Sequence, residues 1–249
     1  MAKRHSAATA ASGVAERLIH HVLSELAPGA SLASEASLAR QYGVSRVTIR
    51  EALKVLAGKG LVDLARGRRA LVREPDASAF GEFLTGVIQY DPKGVFDLVE
   101  VRMTLEIQSV TLAAKRVSRP GLAAIENMLD GMRSAARDIA AGGDAEAEQR
   151  FHQCDVGFHE ALAMASGNRV LTYLFEAMAK PLEMSFFMSR RGRELRGQSV
   201  DVTIDAHQRI LDFVREGDAR GAAEAMRAHL EDANRDMRAA FGNPASAAR

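Results

Sequence analysis

The chain has 249 residues, of which 47% are hydrophobic and 26% charged. That balance excludes a disordered chain or a collagen-like fibre, and the length fits one large domain or two modest ones. The near-neutral total conceals a division: residues 1–75 hold 12 Lys/Arg against 6 Asp/Glu, and the remainder holds 21 against 26. Such a split points to a polyanion that meets only the first part. No apolar run approaches the roughly 18–20 residues that cross a bilayer. The opening MAKRHSAATAASG lacks the apolar core of a secretory signal. The single cysteine, Cys154, excludes an internal disulfide and fits a reducing compartment. The expectation is a soluble cytoplasmic protein with no membrane partner.

After an opening that reads as disordered, Val14, Leu18, Val22 and Leu26 recur at helical spacing, and Pro28-Gly29 ends that helix. Ser34 is placed to cap a short helix, SEASLARQYG, that stops at Gly43. Val44-Ser45 leads into a third helix, RVTIREALKVLAGKG. Two strand-like pieces, LVDLA and RALVR, follow, joined by the tight basic turn Arg66-Gly67-Arg68. Beyond Glu74-Pro75 the strand signal ends. Residues 79–241 read as six or seven amphipathic helices, interrupted at Asp91–Gly94, Arg119–Gly121, Ala141–Asp144, Ser166–Asn168, Arg191-Gly192 and Gly217-Asp218. The tail GNPASAAR is small and polar and is expected to fray. The fold class is therefore mainly α. An N-terminal winged helix-turn-helix of three helices and a small β-hairpin (residues 1–75) precedes a C-terminal all-α antiparallel helical bundle (residues 76–249).

A winged helix-turn-helix leaves the first turn of its second motif helix free to enter a major groove. Here that turn carries Ser45, Arg46, Thr48 and Arg50, while Ile49, Leu53 and Leu56 form the inward stripe. Arginine can bond a guanine edge through two donors, and a hydroxyl can reach a base or a phosphate. The hairpin tip adds Arg66, Arg68 and Arg69, suited to phosphates or a minor groove.

In the helical part, Asp155 and His159 lie four apart on one helix face, and His207 and His229 lie on later helices. Folded together they could offer a carboxylate and three imidazoles to a divalent ion, with zinc, nickel, manganese or iron all conceivable. Histidines at such spacing more often simply pack. His152 shares the Asp155/His159 face and invites the same misreading, whereas His5, His20 and His21 read as surface. Arg102 either anchors a ligand carboxylate or pairs with Glu106 one turn on. Asn168 reads as a helix cap, and Met184, Phe186, Phe187 and Met188 as pocket lining or plain core.

The stretch PGASLASEASLARQYGVSRVTIREALKVLAGKGLV…GRRALV resembles the DNA-binding domain of GntR-superfamily bacterial transcription regulators across residues 14–73. Two departures stand out: Ala33 where the family commonly has proline, and Ala36 where it has a DNA-contacting arginine. The resemblance thus implies that one family DNA contact is missing. Residues 79–237 resemble the all-helical FCD effector domain of the FadR-like subgroup, through FDLVEVRMTLEIQSVTLAA, DVGFHEALAMASGN and HQRILDFVREGDARGAAEAMRAHL. The resemblance implies a metal site at Asp155, His159, His207 and His229, most naturally zinc. It also implies an inward Arg102 that engages an organic acid. Together these imply a homodimeric repressor of a catabolic operon, bound to a palindromic DNA operator and sensing a small carboxylic acid. The connecting stretch around Arg73–Ser78 would relay the signal. The alternatives are a metal-dependent enzyme using the same four residues, and a DNA-binding dimer whose helical domain is purely structural.

Overall fold

The computed structural model describes residues 2–74, 76–91, 93–143 and 145–242, with side chains from residue 11 onward apart from 183 and 184. Met184, the His5 side chain and the 243–249 tail thus lie outside the described residues. The chain forms two compact units, Met1–Ala79 and Phe80–Arg249.

The first unit contains α1 (Ala2–Glu25), α2 (Glu35–Tyr42), α3 (Arg46–Gly58), β1 (Val62–Asp63) and β2 (Leu71–Val72). α1 starts at Ala2, well before the expected position, because the alanine-rich opening favours helix despite its polarity. Ser34 caps α2 by accepting from Ser37 N, and Gly43 closes it in the left-handed conformation at φ 66°, a geometry glycine adopts without steric cost. Ser45 then caps α3 through Thr48 N. The hairpin pairs Val62 with Val72 in antiparallel register. A feature hidden in the sequence is the segment before α2. Gly29 N donates to Val72 O and Leu32 N to Ala70 O, both at 2.8 Å, so this segment flanks β2. Val14, Leu18 and Val22 of α1 close over Ile49, Leu53 and Leu56 of α3 and Val62 and Val72 of the hairpin.

The second unit is entirely helical: α4 (Ser78–Tyr90), α5 (Gly94–Arg116), α6 (Arg119–Ala140), α7 (Ala145–Ala165), α8 (Arg169–Leu195), α9 (Asp201–Glu216) and α10 (Ala219–Phe241). Local chemistry sets most boundaries. Ser118 caps α6 with a proline in its first turn, Asn168 caps α8, and Gly217 and Asp218 end α9 and begin α10. The expected break at Arg191-Gly192 does not occur, and α8 runs on to Leu195. Gly192 serves instead as a crossing point, because a Cβ there would lie 1.7 Å from Asp236 O of α10. Val110, Leu129, Phe158, Leu162, Ile210 and Met226 meet in one core drawn from α5, α6, α7, α9 and α10. This core fixes the faces of α5, α7, α9 and α10 that carry the polar centre described next.

Candidate functional site

In the first unit, Arg46 and Arg50 are exposed on the opening turns of α3, and Arg66, Arg68 and Arg69 are exposed at the hairpin tip. The Ser45 hydroxyl oxygen is engaged in the cap and lies 2.9 Å from the Thr48 hydroxyl. These two side chains therefore shape the helix N-terminus, where free N–H groups and the dipole favour a phosphate. Arg50 is not free: its Nε and a terminal nitrogen donate to the two Glu35 oxygens at 3.1 and 2.7 Å. Val47, one of the apolar residues of this helix, is 66% exposed on the same turn. An apolar side chain there matches a thymine methyl.

In the second unit, His159 of α7, His207 of α9 and His229 of α10 bring one ring nitrogen each within 4.8 Å of one another. Their ring centroids are 5.2, 5.3 and 4.5 Å apart. Asp155, one turn before His159, places Oδ1 3.0 Å from His207 Nε2. His159 and His207 are buried, and His229 and Asp155 are half-buried. His207 Nδ1 lies 2.7 Å from Thr203 O. A carbonyl can only accept, so Nδ1 carries a proton, and Nε2 is the ring atom turned toward Asp155. His207 Nε2 and Asp155 Oδ1 thus face each other, both buried and neither satisfied by any other group. His159 repeats the pattern: Nδ1 is paired with Glu106 of α5, and Nε2 is buried without a partner. A carboxylate behind an imidazole orients it as a metal ligand. The donor set, three clustered histidine nitrogens with Asp155 Oδ1 beside them, therefore fits a divalent ion.

The electrostatics agree. Burial pushes the His159 and His229 pKa values down, His229 further because His207 and His159 also stand beside it. Both rings are thus held neutral, the form that binds metal. Burial alone would raise the Glu106 carboxyl, but the Arg102 guanidinium and His159 more than offset it and hold it at about 2. Burial likewise opposes ionisation of Asp155, and the histidines, His207 first, bring it well below the usual carboxylate range.

Arg102 of α5 resolves the alternatives left open by the sequence in an unexpected way. It pairs with Glu106 through Nε, yet one terminal nitrogen is buried without a partner. Its Cζ lies 4.6 Å over the Phe186 ring, whose other neighbour is His152 at 4.8 Å. His152 packs here and is not among the clustered histidines. Arg102, Asp155, His229, His152 and Phe186 line one cavity of about 1230 Å³. Phe187 also lines it, whereas Met188 packs against a satellite core with Leu98 and Leu182. Glu160 is in the wall as well. The residue the sequence reading undervalued is Glu106, because its second contact comes from a different helix.

Comparison with known proteins identifies both units. Residues 10–72 match the family profile "Bacterial regulatory proteins, gntR family", and residues 97–232 match the FCD domain. The chain belongs to the GntR family. Among its relatives, the HTH-type transcriptional regulator LutR of Bacillus subtilis (strain 168) is 32% identical over 210 residues, covering 83% of this chain and 90% of LutR. The galactonate operon transcriptional repressor of Escherichia coli (strain K12) is 29% identical over 217 residues, covering 85% and 89%. The solved structure of Streptococcus agalactiae GntR has 25% identity and a TM-score of 0.67, covering 89% of this chain and 97% of that one. This GntR-family chain is a DNA-binding transcription regulator, not an enzyme. In GntR-family terms, α2 and α3 are the helix-turn-helix, the hairpin is its wing, and the histidine centre lies within the FCD unit. No helix among the described residues is long and apolar enough to cross a membrane.

Proposed function

We propose that this regulator is a homodimeric repressor of a catabolic operon that acts in the cytoplasm and releases a palindromic operator on sensing a small carboxylic acid. In this reading Asp155, His159, His207 and His229 hold a divalent ion, with zinc the best match to a nitrogen-rich four-donor set. When bound, the ion supplies a Lewis-acidic anchor for a carboxylate. Arg102 supplies the second anchor through its free nitrogen, and Phe186 fixes the guanidinium plane. Arg46 and Arg50 read base edges, Ser45 and Thr48 present the α3 N-terminus to a phosphate, and Arg66, Arg68 and Arg69 grip the backbone from the wing. The GntR-family relative named for a galactonate operon is a repressor, which supports control of a catabolic operon.

The observation that carries the reading is the convergence of three histidine ring nitrogens within 4.8 Å of one another, with Asp155 Oδ1 3.0 Å from His207 Nε2. A divalent ion among them would satisfy the buried ring nitrogens and the Asp155 oxygen that no other group engages. The effector can shift DNA affinity only by its differential affinity for the two states, and moving a population from 1:99 to 99:1 takes about 5.5 kcal/mol.

A thermal melt of zinc-loaded protein against a panel of small carboxylic acids, with and without chelator, tests this. An acid at 100 times its Kd should stabilise the fold by about 2.7 kcal/mol. A shift that disappears in chelator is the expected outcome. No shift with any acid and no response to chelator would leave the DNA-binding regulator standing and remove its sensing mechanism.

A further inference from the structure

Resting on the reading that the first turn of α3 enters a major groove, one further side chain on that turn can be given a role. Ile49, Ala52, Leu53 and Leu56 are at most 5% exposed and form the inward stripe of α3. At about 100° per residue, the middle of that stripe lies roughly 170° around the helix axis from Val47. Val47 thus stands at the centre of the outward face, on the turn that a groove receives. Among the described residues it is not part of the hydrophobic core of this unit. Valine is also a poorer helix former than alanine, arginine or lysine, so α3 gains nothing from it locally. Its χ1 is nearly fixed in a helix, which holds both methyl groups in one place.

The polar groups around Val47 are already engaged. The Ser45 and Thr48 hydroxyls meet at the helix cap, and Arg50 is held by Glu35. Glu51, one turn after Val47, is paired with Lys54 at 2.9 Å, so its charge is compensated where this face meets DNA. Val47 is therefore an apolar spot flanked by Arg46 and Arg50 on a surface that receives a polyanion. The major-groove edges of guanine, adenine and cytosine offer donors and acceptors, and thymine alone adds a methyl group. Two apolar groups in contact both leave water. A base donor or acceptor set against Val47 would instead lose its hydrogen bond to water and gain none. A phosphate likewise gains nothing from an aliphatic side chain.

We propose that Val47 determines operator specificity by reading the 5-methyl group of a thymine, next to the base edges that Arg46 and Arg50 take.

The test removes one methyl group at a time from the DNA. Full-length protein selects an operator from a random duplex library, and each thymine of that duplex is exchanged in turn for deoxyuridine. The exchange takes away the 5-methyl group and keeps every donor and acceptor. Fluorescence anisotropy then compares wild type with Val47→Ser, which loses both methyl groups at an exposed position and should melt as wild type does. At least one exchange should weaken wild-type binding by about three- to fivefold, the factor that covering one methyl group is worth. The same exchange should leave the affinity of Val47→Ser unchanged. A selected operator that lacks thymine, or that tolerates every exchange, overturns the proposal. So does a sensitive thymine to which Val47→Ser responds as strongly as wild type, because another side chain would then read it. Failure of the underlying reading is seen separately: Arg46→Ala, as well as Val47→Ser, would keep the full wild-type preference for the operator over a scrambled duplex.

Discussion

Arg46 and Arg50 lie one turn apart on α3 but start from different states. Arg50 must leave or share a two-point contact with Glu35 before it can meet a base, whereas Arg46 forms no ion pair among the described residues. Arg46→Ala is therefore expected to cost about 1–3 kcal/mol in affinity for an operator selected in vitro, with the melting temperature unchanged. Fluorescence anisotropy checks this, and an unchanged affinity would transfer base reading to the wing. In the FCD unit, His207→Ala should lower bound zinc below one per chain and abolish the chelator-sensitive part of the melting curve. Full zinc occupancy in that variant would exclude His207 from the site. Glu106→Gln should weaken zinc binding by about 10- to 100-fold, because an orienting carboxylate behind a ligand has an effect of that size. The spacing of Asp155 and His159 was readable from sequence because residues four apart share a helix face. The double engagement of Glu106 was not: pairing with Arg102 is local, but meeting His159 depends on how α5 packs on α7.

At the scale of elements, the sequence was most legible where a boundary has its own chemistry. Ser34, Gly43, Ser45, Asn168 and Gly217 each satisfy or terminate a helix end through atoms a few residues away. It misled at Gly192, where glycine is needed for a tertiary reason. A turn and a helix crossing demand the same residue, and only the position of α10 tells them apart. Gly192→Ala tests that explanation. A Cβ there would lie 1.7 Å from the Asp236 carbonyl oxygen and 2.8 Å from Asp236 Cα, backbone that cannot rotate aside. The substitution should destabilise by about 1–3 kcal/mol or more, the usual cost of overpacking. Gly86→Ala, in the exposed middle of α4 with nothing within 4 Å of the new Cβ, should instead stabilise by about 0.5–1 kcal/mol. Urea unfolding of the two variants should thus move in opposite directions. A Gly192→Ala protein as stable as wild type would mean that α8 and α10 do not cross so closely.

For the whole molecule, stability should depend on pH through the same groups that hold the ion. His159 and His229 have lowered pKa values in the fold, whereas in the unfolded chain histidine titrates near 6.5. Below about 6.5, and above the lowered folded values, the unfolded chain binds more protons than the native one, so stability rises with pH across that window and falls on acidification. Glu106 acts in the same direction at lower pH. Its contribution is present above the unfolded value of about 4.3 and is lost as pH falls toward about 2. Each unit of histidine shift corresponds to about 1.4 kcal/mol. Zinc steepens the dependence, because its ligands must be deprotonated and it binds the fold in preference to the unfolded chain. Chelator-treated protein should therefore melt at progressively lower temperature from pH 7 to pH 5, and zinc-loaded protein should show the steeper decline. His229→Gln replaces the most strongly shifted histidine with a side chain that does not titrate. It should flatten the chelator-treated profile and remove most of the difference zinc makes. A wild-type melting temperature independent of pH between 5 and 7 would show that His159 and His229 are not held neutral by the fold, and would remove the electrostatic support for a metal beside them.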